Sequence, residues 1–175
     1  MNNMKKVLLI IASYGFQQME YFEPKKILEN AGVEIITGSD KKGKVIASRT
    51  QEIAQSDIIL EEIKPSDYDG IFLVGGHGAM EYLNNEKTYK IFREIAKSNK
   101  LWGAICISPR ILANAGVLMG KKVTGWDGDE ELEKILKKAG AEYIREEVVV
   151  DDKLITAIGP SAASVWGKAI LEKIK

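Results

Sequence analysis

One cysteine and one histidine stand among 175 residues, and that scarcity excludes several kinds of protein. A single thiol forms no disulfide within the chain, and one Cys with one His does not make a tetrahedral zinc site. Excess charge is also missing: 25 Lys and Arg balance 25 Asp and Glu. The electrostatic footprint of a partner for nucleic acid or for an acidic membrane is therefore absent. The apolar run near the amino terminus, "KKVLLIIAS", is too short to span a bilayer and no small-residue cleavage site follows it. It reads as a buried first strand, Lys6 to Ser13, and not as a signal sequence. The charged, disulfide-free composition suits a reducing cytoplasm. No Walker sequence occurs, and "SYGFQQME" after the first strand has one glycine and no run of hydroxyl residues to cradle the phosphate of a flavin or nucleotide. A phosphorylatable receiver domain would want acidic residues where Ser13 and Tyr14 stand. No cofactor and no metal are expected.

Apolar residues make up 45% of the chain, enough for one substantial core, and a single domain over residues 1–175 is expected. The order is strand then helix, repeatedly. "QQMEYFEPKKILENAG" has helical spacing and closes on Gly32, "VEIITGS" is a second strand, and residues 41–63 hold two β-type runs, "KVIAS" and "DIILEEI", read as a hairpin excursion. "YDGIFLVGGHG" is a buried strand ending in glycines, "EKTYKIFREIAKSNK" an amphipathic helix and "LWGAICI" another buried strand. "SPRILANAG" is a short helix with Pro109 in its first turn, where a missing backbone donor is harmless. After "GKKVTGW" come the charged helix "DEELEKILKKAG", a hairpin "EVVVDDKLITAIG" and the helix "PSAASVWGKAILEKI". Such alternation predicts an α/β fold with a mostly parallel sheet covered on both faces, whose sites lie at the carboxyl ends of the strands.

That rule draws attention to the lone thiol. Cys106 ends the run "LWGAIC" and precedes a helix, where free backbone N–H groups favour a thiolate. Ala104 and Ser108, two residues to either side, are small enough for a nucleophile elbow. The plain alternative is that Cys106 is a small core hydrophobe. Gly75, Gly76, His77 and Gly78 follow the "GIFLV" strand and are expected in a loop at the same sheet edge. There the N–H of Gly76 or Gly75, with that of Ile107, can form an oxyanion hole; the alternative is an ordinary glycine turn. Glu20 lies beyond the first strand among Met19, Tyr21 and Phe22. It is either a solvated helix residue or a partly buried carboxyl that shares a proton with the thiolate. His77 is a candidate base or a solvated loop histidine.

Four segments, "GFQQMEYFEPKKILENAG", "DGIFLVGGHG", "GAICISPRILANAGVLMGKKVT" and "EVVVDDKLITAIGPSAA", together resemble the PfpI-type intracellular peptidase superfamily, which includes the Parkinsonism-associated protein deglycase and shares its fold with class I glutamine amidotransferase domains. The resemblance implies a flavodoxin-like three-layer sandwich with a nucleophile elbow. It also implies a homodimer or higher homo-oligomer, Cys106 as nucleophile and Glu20 as its proton partner. The chain departs from the pattern in two places: Ile107 stands where the peptidase and glyoxalase branches have a histidine, and Trp126 stands in the segment where the deglycase branch has one. Glu81 approximates an acidic residue that some members supply across a subunit interface, one residue out of register.

Three functions follow as expectations. The first is cysteine-dependent chemistry on small reactive carbonyls, glyoxalase- or deglycase-like and slow, through Cys106 and Glu20. The second is a redox-sensing or chaperone-like stress protein whose thiol meets oxidants. The third, an intracellular cysteine peptidase or amidase, must also protonate an amine leaving group and is poorly equipped without the adjacent histidine. The helix N-terminus and a nearby proton donor predict a Cys106 thiol well below the ordinary value of about 8.5.

Overall fold

The computed structural model describes residues 4–175. In chain order the elements are β1 (Lys6–Ile10), β2 (Tyr14–Phe16), α1 (Gln18–Asn30), β3 (Glu34–Ser39), β4 (Gly43–Ala47), β5 (Ile53–Ser56) and β6 (Ile58–Ile59). There follow β7 (Gly70–Leu73), α2 (His77–Tyr82), α3 (Glu86–Ile95), β8 (Leu101–Ile105), α4 (Pro109–Ala115) and β9 (Lys122–Val123). The chain closes with α5 (Leu132–Lys138), β10 (Glu142–Tyr143), β11 (Val148–Asp151), β12 (Leu154–Ala157) and α6 (Ala163–Ile174).

Seven strands form the central sheet in the order β11-β12-β8-β7-β1-β3-β6. All neighbours are parallel except the β11–β12 hairpin. The apolar run "VLLI" of β1 shows why the sheet needs two covers. Val7 and Leu9 point into one apolar layer, and Leu8 and Ile10 into the other. The first layer is closed by α1 and α6, with Tyr21, Leu28, Trp166 and Ile170 buried in it. The second is closed by α2 to α5, with Ile91, Phe92, Ile111, Leu112, Leu132 and Leu136 buried. The result is the α/β three-layer, flavodoxin-like arrangement. Among the described residues no helix is long and apolar enough to cross a membrane.

Two segments differ from the sequence expectation. The excursion after β3 is indeed an antiparallel pair, β4 with β5, but it also recruits β2 from the turn after β1 and makes a separate three-stranded sheet. The run "DIILEEI" is not a second hairpin strand. Only Ile58 and Ile59 are extended, pairing with the end of β3 at the sheet edge, and Leu60–Glu62 is a helical turn. An apolar run this short fits either state, and burial of Leu60 and Ile63 against the helical face of the core decides it.

Close approach of neighbours places the strand ends. A Cβ on Gly103 would lie 1.9 Å from the Ile155 carbonyl oxygen, so only glycine lets β8 and β12 pair at that register. The carboxyl ends of β1, β7, β8 and β12 therefore open on one edge, where Gly75, Gly76, Cys106 and Gly159 follow them.

Candidate active site

Cys106 is the first residue after β8, and its φ is +64°. A non-glycine residue in the left-handed region carries a cost on the order of 1–2 kcal/mol, so the surroundings must hold it. They do so from both sides: Cys106 N–H donates to the Ala157 carbonyl at 2.9 Å, and Trp126 N–H donates to the Cys106 carbonyl at 2.8 Å. Chain reversal follows at once, with Pro109 opening α4. The thiol is left partly exposed at the sheet edge.

Glu20 reaches the thiol from α1. Gln17 caps that helix, its side-chain oxygen accepting from Met19 N–H at 2.7 Å and Glu20 N–H at 3.3 Å, which orients the first turn. Gln17 N–H in turn donates to the Gly75 carbonyl at 3.0 Å. The Glu20 side chain is fully buried. Its Oε2 accepts Gly75 N–H at 2.8 Å, its carboxyl lies beside the Cys106 thiol, and Oε1 has no hydrogen-bond partner among the described residues.

Glycines make this approach possible. A Cβ on Gly75 would lie 2.6 Å from both Cys106 Cβ and Glu20 Oε2, so any side chain there would part the pair. Gly159, after β12, faces the same two groups more loosely: a Cβ there would lie 3.9 Å from Cys106 Sγ and 4.0 Å from Glu20 Oε1.

Burial is the largest influence on both acids. It pushes Glu20 up to about 7, against the neighbouring Cys106 thiol and the Gly75 N–H, which favour the carboxylate. Burial, then the charge of the adjacent Glu20 carboxylate, push Cys106 up to about 12, against the N–H groups of Gly76 and Ile107 at the sulfur. The expected low thiol pKa is thereby corrected: the helix end and the backbone donors are present, but a carboxylate beside a desolvated thiol outweighs them. Between these two values the pair carries one negative charge and one shared proton. A thiolate exists in that interval when the proton sits on Glu20.

The remaining candidates separate. Gly75 N–H is committed to Glu20, whereas the N–H groups of Gly76 and Ile107 face the sulfur. His77 is not in a loop but is the first residue of α2, and its exposed ring packs over Gly15 and edge-on to Tyr14, with centroids 6.1 Å apart. It makes no hydrogen bond to Cys106 or Glu20 among the described residues. Glu81 is exposed on the same helix, away from Cys106 and Glu20 in the hydrogen-bond pattern of the described residues. Trp126 contributes its backbone to the elbow, while its indole lies under the Arg110 guanidinium, 5.3 Å from the ring centroid. Arg110 is itself buried and held by both carboxylate oxygens of Asp129, at 2.8 and 2.6 Å. Nothing in the sequence pattern singled out Gln17, Gly159 or the Arg110–Asp129 pair: glutamine is not among the preferred capping residues, and the other two act through partners distant in the chain.

The family model described as DJ-1/PfpI family matches residues 5–173. The chain belongs to the DJ-1/PfpI family. Protein MJ0967 of Methanocaldococcus jannaschii is 41% identical over 176 aligned residues, covering 99% of this chain and 85% of that protein. Deglycase PfpI of Pyrococcus furiosus is 30% identical over 168 residues, covering 96% of this chain and 99% of that protein. Among solved structures, the ThiJ/PfpI domain protein from Brachyspira murdochii superposes with a TM-score of 0.90 at 26% identity, covering 98% of this chain and 96% of that one. DJ-1/PfpI relatives bearing the name deglycase thus align along nearly the whole chain, with the elbow and the Glu20 turn inside the matched span.

Proposed function

We propose that this DJ-1/PfpI protein acts on small reactive carbonyls, glyoxalase- or deglycase-like, with Cys106 as nucleophile and Glu20 as the group that moves the proton. The observation that carries this reading is the buried Glu20 carboxyl set beside the Cys106 thiol, whose sulfur also faces two backbone N–H groups. The names of relatives such as deglycase PfpI support the same class.

The chemistry needs no further group. The thiol proton passes to Glu20, and the thiolate forms an S–C bond to the aldehyde carbon of a 1,2-dicarbonyl while the C=O π electrons move to oxygen. That oxygen takes the N–H groups of Gly76 and Ile107 and then the proton from Glu20, giving a neutral hemithioacetal. The carboxylate can next remove the proton from the former aldehyde carbon, leaving an enediolate with the charge on the neighbouring oxygen. Glu20 returns that proton to the adjacent carbon while the hydroxyl proton passes from one oxygen to the other, yielding the thioester of a 2-hydroxy acid. Water hydrolyses it to a hydroxy acid and restores the thiol. Amide cleavage asks for more, since an amine must leave protonated, and Ile107 offers no such proton. The same reading has a homodimer or higher homo-oligomer as its working form, on the strength of the family resemblance.

The test is turnover of methylglyoxal by purified protein. Slow conversion to the hydroxy acid is expected, lost in Cys106→Ala and reduced at least tenfold in Glu20→Gln, with no cleavage of peptide substrates. Turnover that survives Cys106→Ala, or peptidase activity, overturns the reading. Absence of turnover with peroxide-sensitive Cys106 favours the redox or chaperone-like alternative.

A further inference from the structure

Ser108 occupies the residue before α4, where a serine ordinarily turns its hydroxyl inward to cap the helix. It makes no cap hydrogen bond here. The side chain is fully buried, and its hydroxyl donates at 2.8 Å to the Val74 carbonyl, on the neighbouring strand end. That carbonyl belongs to the same peptide unit as Gly75 N–H, which donates at 2.8 Å to Glu20 Oε2. The peptide is trans, since the described residues contain no cis bond, so its carbonyl and N–H point in opposite directions. Ser108 O–H, the Val74–Gly75 peptide and the Glu20 carboxyl therefore form one hydrogen-bonded chain, from the elbow after Cys106 across to α1. A donor on the carbonyl of an amide polarises it and strengthens its N–H as a donor, by about 10–30% in a condensed phase.

We propose that Ser108 is a positioning residue, whose hydroxyl acts through the Val74–Gly75 peptide to hold the Glu20 carboxyl against Cys106. The inference rests on the Cys106–Glu20 reading above and adds to it a residue that touches neither substrate nor thiol. It gives the departure from helix capping a reason: α4 forgoes a side-chain cap, and the hydroxyl instead ties the elbow to the loop carrying both Gly75 and Gly76. Without that tie, the Gly75 donor weakens and the carboxylate is less favoured, so the pair should lose its first proton at higher pH.

The experiment is the pH profile of Cys106 alkylation by iodoacetamide in four proteins: wild type, Ser108→Ala, Glu20→Gln and the double variant. Thermal midpoints and circular dichroism confirm the fold. Ser108→Ala is expected to raise the midpoint by roughly half a pH unit, Ser108→Thr to restore it, and the shift to vanish in the Glu20→Gln background. Ser108→Gly removes the same hydroxyl and adds no atom, and serves if the alanine variant does not fold. An unchanged midpoint in a folded Ser108 variant, or an equal shift with and without Glu20, overturns the positioning role while leaving the Cys106–Glu20 pair standing. A wild-type profile indifferent to Glu20→Gln overturns both.

Discussion

Glu20 is a carboxyl held at about 7 mainly because burial disfavours its charge, and this has a sign that stability measurements read. The folded state binds the proton more tightly than the unfolded chain does. Glu20 therefore imposes no penalty below its unfolded value of about 4.5, and one that grows as pH rises to about 7 and stays thereafter. Wild type should lose stability relative to Glu20→Gln across that window, by a difference on the order of 3 kcal/mol at most. Denaturant midpoints of the two proteins from pH 4 to 8 check it; parallel curves would show that Glu20 does not titrate there. Gly75 makes a separate demand, because a Cβ would press within 2.6 Å of both members of the pair. Gly75→Ala should destabilise the fold by about 1–3 kcal/mol and slow Cys106 alkylation beyond what that loss explains. Alkylation at temperatures where the variant is fully folded separates the two effects.

The elements matter as carriers of these residues. Helix α1 brings Glu20 to the thiol only if its first turn is held, and Gln17 holds it through two N–H groups and through the Gly75 carbonyl. Gln17→Ala removes the side-chain cap and leaves the backbone bond. A loss of about 1 kcal/mol is expected, with the alkylation profile moved toward that of Glu20→Gln; an unmoved profile would confine Gln17 to a structural role. Strands β8 and β12 depend on contact instead. The 1.9 Å clash that any Cβ on Gly103 would make with the Ile155 carbonyl falls on backbone, which cannot swing aside. Gly103→Ala should cost about 3 kcal/mol or more and displace the Cys106–Ala157 bond that continues the same ladder.

For the whole molecule, the layer formed by α1 and α6 joins the site to global stability. Trp166 is fully buried, stands edge-on to Phe72 with centroids 5.6 Å apart and donates its indole N–H to the Ile155 carbonyl at 3.2 Å. Beside it, α6 approaches α1 closely enough that a Cβ on Gly167 would meet Pro24 at 2.8 Å. Trp166→Ala therefore removes the core of one face of the sheet and leaves an indole N–H partner unpaired. A loss of about 3–5 kcal/mol is expected, seen as a lower midpoint in one cooperative urea transition. A change below about 1 kcal/mol would mean that this layer is not part of the cooperative unit.

The sequence by itself determined the alternation of strand and helix, the sheet's two apolar faces and the location of Cys106 at a strand's carboxyl end, because these depend on local periodicity and on glycine and proline at turns. Glu20 was also legible, through its position after the first strand and its apolar neighbours. Tertiary structure alone decided the rest, because each remaining feature depends on groups far apart in the chain. It drew Tyr14–Phe16 into a second sheet and made Leu60–Glu62 a helical turn. It turned His77 out over Gly15 and committed Gly75 N–H to Glu20 in place of an oxyanion. It also reversed the expected acidity of Cys106: a helix end that favours the thiolate can be read along the chain, whereas burial and a carboxylate 86 positions earlier in sequence act only once folding has removed the water between them.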